Sequence, residues 1–100
     1  MTAAPAGKEW FTAPQAARIL AVHPQTIYDA VRKGRLEARG VGRERRIHAR
    51  EIIRYGVTTG RNGENIIKAM EKESGEIDRD KALFWALAAI GLAFLLGGKK

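Results

Sequence analysis

Three residues, Ala21-Val22-His23, are all that separates two segments with helix-start chemistry, and nothing else in the chain constrains the fold so tightly. Upstream, Thr12 followed at the third position by Gln15 forms a capping box, with Pro14 tolerated in the first turn. This predicts a helix from about Ala13 to Leu20, with Ala16, Ala17 and Leu20 along its inner face and Phe11 packed beside them. Downstream, Pro24 is pre-set in φ for a first helical position, so a second helix is predicted from Pro24 to Lys33, stopping at Gly34. Ile27, Ala30 and Val31 make its buried stripe, which leaves Gln25, Tyr28, Asp29 and Arg32 on the opposite, exposed face. The gap has room for a turn and nothing more.

After Gly34 the pattern changes period. Leu36–Arg39 reads as a short strand, Gly40-Val41-Gly42 as a turn, and Arg45–His48 as the returning strand with Ile47 inward. A third helix is predicted from about Ala49 to Tyr55, ending at Gly56 and placing Ile52 or Ile53 against the core. Residues 57–63 read as a loop, and Glu64 to Lys72 as a short helix with Ile66, Ile67 and Met70 on its apolar side. Residues 74–80 read as a polar linker, and residues 1–9 as a disordered lead-in. The fold class expected is mainly α: a small winged helix-turn-helix of three helices and a two-stranded wing, then a short helix, a linker and a single C-terminal hydrophobic helix. The expected units are 1–9, 10–56, 57–80 and 81–100.

At 100 residues the chain has room for one small core. Its net charge of +7 asks for an anionic partner, nucleic acid or acidic lipid. The surplus sits in residues 1–56, with eleven Lys/Arg against five Asp/Glu, while residues 57–81 carry five against six. Two short helices joined by a three-residue turn, with alanines where they cross, fit the helix-turn-helix plan, whose second helix enters the major groove. On that plan Gln25, Thr26, Tyr28, Arg32 and Lys33 face double-stranded DNA. Gln25 suits an adenine edge, Arg32 a guanine edge and Thr26 a phosphate. Asp29 fits either a cytosine contact or the orientation of Arg32 across one helical turn.

Residues 10–52 resemble the excisionase-type helix-turn-helix family, related to the DNA-binding domains of MerR regulators. The likeness is carried by Phe11-Thr12, Ala17, Leu20, Val22, Ile27-Tyr28, the Gly34-Arg35-Leu36 exit and the GxxRRI pattern at Gly42–Ile47. It implies a winged fold with the wing at Arg39–Arg46. Two positions depart from the family pattern: His23 stands where a Ser or Thr cap is usual, and Ala21 where Gly is common. Arg43, Arg45 and Arg46 crowd the Gly-rich turn against Glu44 alone, which fits a solvated hairpin or a phosphate-facing wing.

No cysteine is present, which excludes disulfides, thiolate metal sites and a Cys nucleophile. The two histidines have no metal spacing; His23 reads as an improvised helix cap and His48 as a wing-exit residue. Nothing resembles a nucleophile–base pair, a phosphate loop or a paired acid/base site. No catalytic residue, cofactor or metal is therefore expected, and the chain is not expected to be an enzyme. The first ten residues lack the apolar core of a signal peptide.

Ala82 to Gly98 contain no charged or strongly polar residue. This run of 17 residues would span about 25 Å as a helix, against about 30 Å of bilayer hydrocarbon. Lys81 on one side and Lys99-Lys100 on the other can snorkel and extend its reach. Leu83, Phe84, Leu87, Ile90, Leu92, Phe94, Leu95 and Leu96 favour insertion, and Trp85 suits the membrane interface. The competing reading is a buried or oligomer-forming helix, for which a domain this small offers little cover. Ala89, Ala93 and Gly97 have small-xxx-small spacing, a weak signal for helix pairing.

The sequence thus leads to a membrane-tethered, sequence-specific DNA-binding protein, a transcription regulator with its N-terminal half in the cytoplasm. The partners expected are double-stranded DNA and a lipid bilayer, with a homo-oligomer left open. An excisionase-like DNA-bending factor, and a structural protein whose tail joins an assembly, are the alternatives.

Overall fold

The computed structural model describes residues 9–40, 45–74 and 77–97, with side chains described as far as Gly91. In chain order the elements are β1 (Trp10–Phe11), α1 (Ala13–Leu20), α2 (Pro24–Arg32), β2 (Ile47–His48), α3 (Ala49–Thr58), α4 (Gly63–Ser74) and α5 (Arg79–Gly97). A mainly helical chain with one small two-stranded sheet fits the small winged helix-turn-helix expected.

The helix starts follow from local chemistry. Thr12 and Gln15 form the reciprocal capping box ahead of α1, the Gln15 amide donating to Thr12 Oγ1 at 3.2 Å and the Thr12 amide to Gln15 Oε1 at 2.8 Å. Two further helices open on a histidine. The Gln25 amide donates to His23 Nδ1 at the start of α2, and the Arg50 amide to His48 Nδ1 at the start of α3, each at 3.0 Å. An imidazole nitrogen that accepts here does the work usually given to a Ser or Asp oxygen.

The helix ends needed more than stop signals. Ala21 closes α1 in the left-handed region at φ 57°, with the Val22 amide donating to Ala17 O at 2.9 Å. Gly34 closes α2 one residue earlier than predicted, with the Arg35 amide on Ala30 O at 2.8 Å. The predicted end of α3 at Gly56 is not where the helix stops; it runs on to Thr58. Gly56 is buried because any Cβ there would sit 2.5 Å from Ile66 Cδ1 and 2.8 Å from Leu20 Cδ2. The glycine lets α3 approach α1 and α4, and the actual stop is Gly60 at φ 96°, followed by an Arg61 amide on Gly56 O at 2.8 Å.

The sheet also differs from expectation. Leu36–Arg39 is not a strand; Leu36 is a buried core residue, and only Arg39 bridges Arg46 in antiparallel fashion. β2 pairs instead with β1, Trp10 opposite His48 and Phe11 opposite Ile47. Phe11 and Ile47 both lie in the core, so burial sets that register. Glu9, expected within the lead-in, is held in place by its carbonyl, which accepts the Ala49 amide at 2.8 Å; the rest of that expected segment, residues 1–8, lies outside the described residues.

One core serves every helix. Phe11, Ile27, Leu36, Ile47, Ile52, Ile53, Ile67 and Met70 are its largest fully buried side chains. Both isoleucines of α3 are inside, where one or the other was expected. The expected polar linker is largely structure: Ile77 is buried, Asp78 Oδ1 accepts the Lys81 amide at 3.2 Å, and Arg79 pairs with Glu64 and Glu71 of α4, each at 3.0 Å.

Helix α5 lays the first part of the apolar run onto that core. Ala82, Ala86 and Ala89 are buried, whereas Phe84 and Leu87 are 68% and 67% exposed and Ile90 is 50% exposed. Trp85, expected at a membrane interface, is half-buried with its ring edge-on to His48 at 5.3 Å. Ala89, offered above for helix pairing, is covered within the chain. Among the described residues no helix is long and apolar enough to cross a membrane. The side chains of Leu92, Phe94, Leu95 and Leu96, which complete the expected span, lie outside the described residues.

Candidate nucleic-acid interface

The exposed face of α2 is where the sequence puts it. Gln25, Thr26, Tyr28, Arg32 and Lys33 are all exposed, and Ile27 and Ala30 are buried on the opposite side. Pro24 and the His23 cap fix where the helix begins, and the α1–α2 turn fixes its crossing. Asp29 organises this face: its carboxylate accepts from Gln25 Nε2 at 3.2 Å and from the Arg32 guanidinium. The Gln25 hydrogen bond, with the nearby charges of Arg32 and Lys33, holds the Asp29 carboxyl below the usual carboxylate range. The Asp29–Arg32 contact across one helical turn is thus present, and Gln25 is held as well.

The wing base stands beside α2. Arg39 and Arg46 exchange backbone hydrogen bonds of 2.8 and 2.7 Å, and Arg46 donates from its side chain to Arg45 O at 3.1 Å. Arg45 and Arg46 are half-buried, and Arg43 lies outside the described residues. Between helix and wing runs an open groove of about 530 Å³ lined by Tyr28, Val31, Arg32, Ala38, Gly40 and Arg45. The groove brings together three of the basic and aromatic residues singled out from sequence. Gln25 and Thr26 lie on the same helix, and Lys33 caps its end, without lining the groove.

Residues 10–55 match a family model described as a helix-turn-helix domain. The plan that description names is present there, with α1 and α2 separated by the three residues Ala21 to His23. No curated protein and no solved structure matched the chain.

Within the matched residues, a clamp that sequence reasoning missed holds the exit from α2. Glu51 Oε1 accepts the Glu37 amide at 3.0 Å, and Arg54 pairs with Glu51 at 2.8 Å while donating to Arg35 O at 2.7 Å. Burial pushes the Glu51 carboxyl up, but the Arg54 and Glu37 hydrogen bonds and the Arg54 charge outweigh it and leave it below the usual range. The Glu51–Arg54 spacing was visible as an i, i+3 pair; the loop it grips was not. Arg39 was missed as a contact candidate too. It is exposed at the wing base, with Glu37 at 3.9 Å as a loose partner.

Among the described residues no group of three or more His, Asp or Glu side chains is placed to hold an ion. Both histidines commit Nδ1 to a helix cap. His48 also places Nε2 3.2 Å from Glu9 Oε1, which accounts for its second nitrogen.

Proposed function

We propose that the chain is a membrane-tethered, sequence-specific DNA-binding protein, a transcription regulator of the MerR-like kind with no catalytic step of its own. The observation that carries the DNA part is the groove that joins Tyr28 and Arg32 of α2 to Arg45 of the wing. Its shape suits a duplex whose major groove takes α2 while the wing rides the phosphates. The +7 charge supplies the sequence-independent attraction. Tethering rests on the uncharged run from Ala82 to Gly98 with lysines on both sides; the flanking charges balance, so the cytoplasmic side of the domain follows from the DNA reading alone.

Selection from a random duplex library, followed by anisotropy titration of the full chain, tests the DNA reading. With four to six phosphates contacted, log K against log salt should slope at about −4 to −5. Arg32→Ala should cost about 1–3 kcal/mol on the selected duplex and much less on random sequence. A flat salt response, or equal affinity for selected and random duplexes, removes sequence-specific binding. An alkaline carbonate wash of membranes tests the tether: an integral chain stays in the pellet.

A further inference from the structure

Residues 82–89 of α5 have two incompatible uses. In the structure their small side chains, Ala82, Ala86 and Ala89, are the covered face, with Leu83 and Trp85 half-buried beside them. Lys81 Nζ sits 2.8 Å from Glu9 Oε2 and 5.8 Å above the Trp85 ring, which closes the start of the helix onto β1 and His48. In a bilayer-spanning helix, however, every face meets lipid or another span. The apolar run reaches only about 25 Å when all of it is used. With residues 82–89 docked, residues 90–97 would reach about 12 Å, well short of the hydrocarbon thickness of about 30 Å.

Resting on the membrane reading above, we infer that α5 is a two-position helix: packed on the helix-turn-helix domain, or released from it into a lipid bilayer, never both. The energetics of the two faces favour such an exchange. On α5, docking fully covers only Ala82, Ala86 and Ala89 and half-covers Leu83 and Trp85, and it leaves Phe84, Leu87 and Ile90 in water. Insertion takes those three out of water, at the expense of the alanine, Leu83 and Trp85 contacts with the core and of the Lys81–Glu9 pair. The bilayer therefore competes with α3 and α4 for one surface, and membrane attachment is conditional on undocking.

A reversible lock tests this. A Cβ built on Gly63 lies 3.2 Å from Ala86 Cβ, close to the spacing of about 3.5–4.5 Å that a disulfide spans. The chain has no cysteine of its own, so Gly63→Cys with Ala86→Cys introduces one bond between α4 and α5. The full chain is mixed with vesicles of phosphatidylcholine and phosphatidylglycerol, oxidised and then reduced, and the carbonate-resistant fraction is measured. That fraction should drop at least about tenfold when oxidised and recover on reduction, with DNA affinity the same in both states. Equal insertion of the oxidised and reduced forms overturns the two-position helix while leaving the tether intact. No insertion by wild type or by the reduced form overturns the tether, and this inference with it. Glu9→Gln gives a second reading, because loosening the docked helix should raise the inserted fraction by up to about fivefold. An unchanged fraction there counts against the inference even if the double variant does not fold.

Discussion

Ala21 and His23 are the two residues at which this turn does something unusual with ordinary material. Ala21 holds a left-handed φ of 57° that costs a Cβ-bearing residue about 1–2 kcal/mol. Ala21→Gly should recover that, less the entropy that glycine adds to the unfolded chain, for a net gain of about 1 kcal/mol. His23→Ala should lose about 1 kcal/mol, since it removes the side-chain acceptor of the Gln25 amide at the α2 start. Urea midpoints of the two variants against wild type check both signs, and a destabilised Ala21→Gly would mean the turn is not strained. Both positions were legible as departures from the family pattern. What the letters did not carry was the remedy: a left-handed alanine tolerated outright, and an imidazole nitrogen standing in for a hydroxyl.

At the scale of elements, glycine was read as punctuation, and packing reversed that reading once. Gly34 does stop α2, but Gly56 sits inside α3 because α1 and α4 press on it from both sides. Gly56→Val should destabilise by about 1–3 kcal/mol through overpacking. Gly91→Ala, with nothing within 4 Å of its Cβ, should leave stability unchanged or raise it slightly. Thermal unfolding of the two variants tests the contrast, and equal effects would sink it. The faces of α1, α2 and α4 were readable because each alternates apolar and polar residues with helical period. The face of α5 was not, because a helix apolar all round has no period to read. Its clue was side-chain size, small at 82, 86 and 89 and large at 84, 87 and 90. The β1–β2 pairing was hidden as well, since two-residue strands leave no pattern.

For the molecule as a whole, charge joins distant parts of the chain. Glu73 pairs with Arg18 across α4 and α1, Glu9 with Lys81 across the N-terminal strand and α5, and Glu51 grips the α2 exit. All three carboxyls are held below their usual range. For Glu73 the Arg18 hydrogen bond leads and for Glu9 that of Lys81; at Glu51 hydrogen bonds and charge overcome burial. A carboxyl lowered in the folded state adds stability that is fully present above its unfolded value and lost as pH falls through its folded value. Stability should therefore hold near neutrality and fall as the pH drops below about 4.3, the ordinary glutamate value. Glu51→Gln should lower stability at pH 7 and flatten that acid slope. Parallel pH curves for wild type and variant would show that the clamp carries none of it.

The stack at His48 gives this chain a built-in optical probe. Trp10 and Trp85 are its two indoles, and both stand edge-on to the same imidazole, at 4.8 and 5.3 Å. Ultraviolet-excited emission from the unlabelled protein thus comes from a single spot, where the first strand, the returning strand and the last helix converge. A ligand that moves the wing and a surface that draws away the last helix would both alter its colour, and Trp10→Phe leaves an emitter that follows the helix alone.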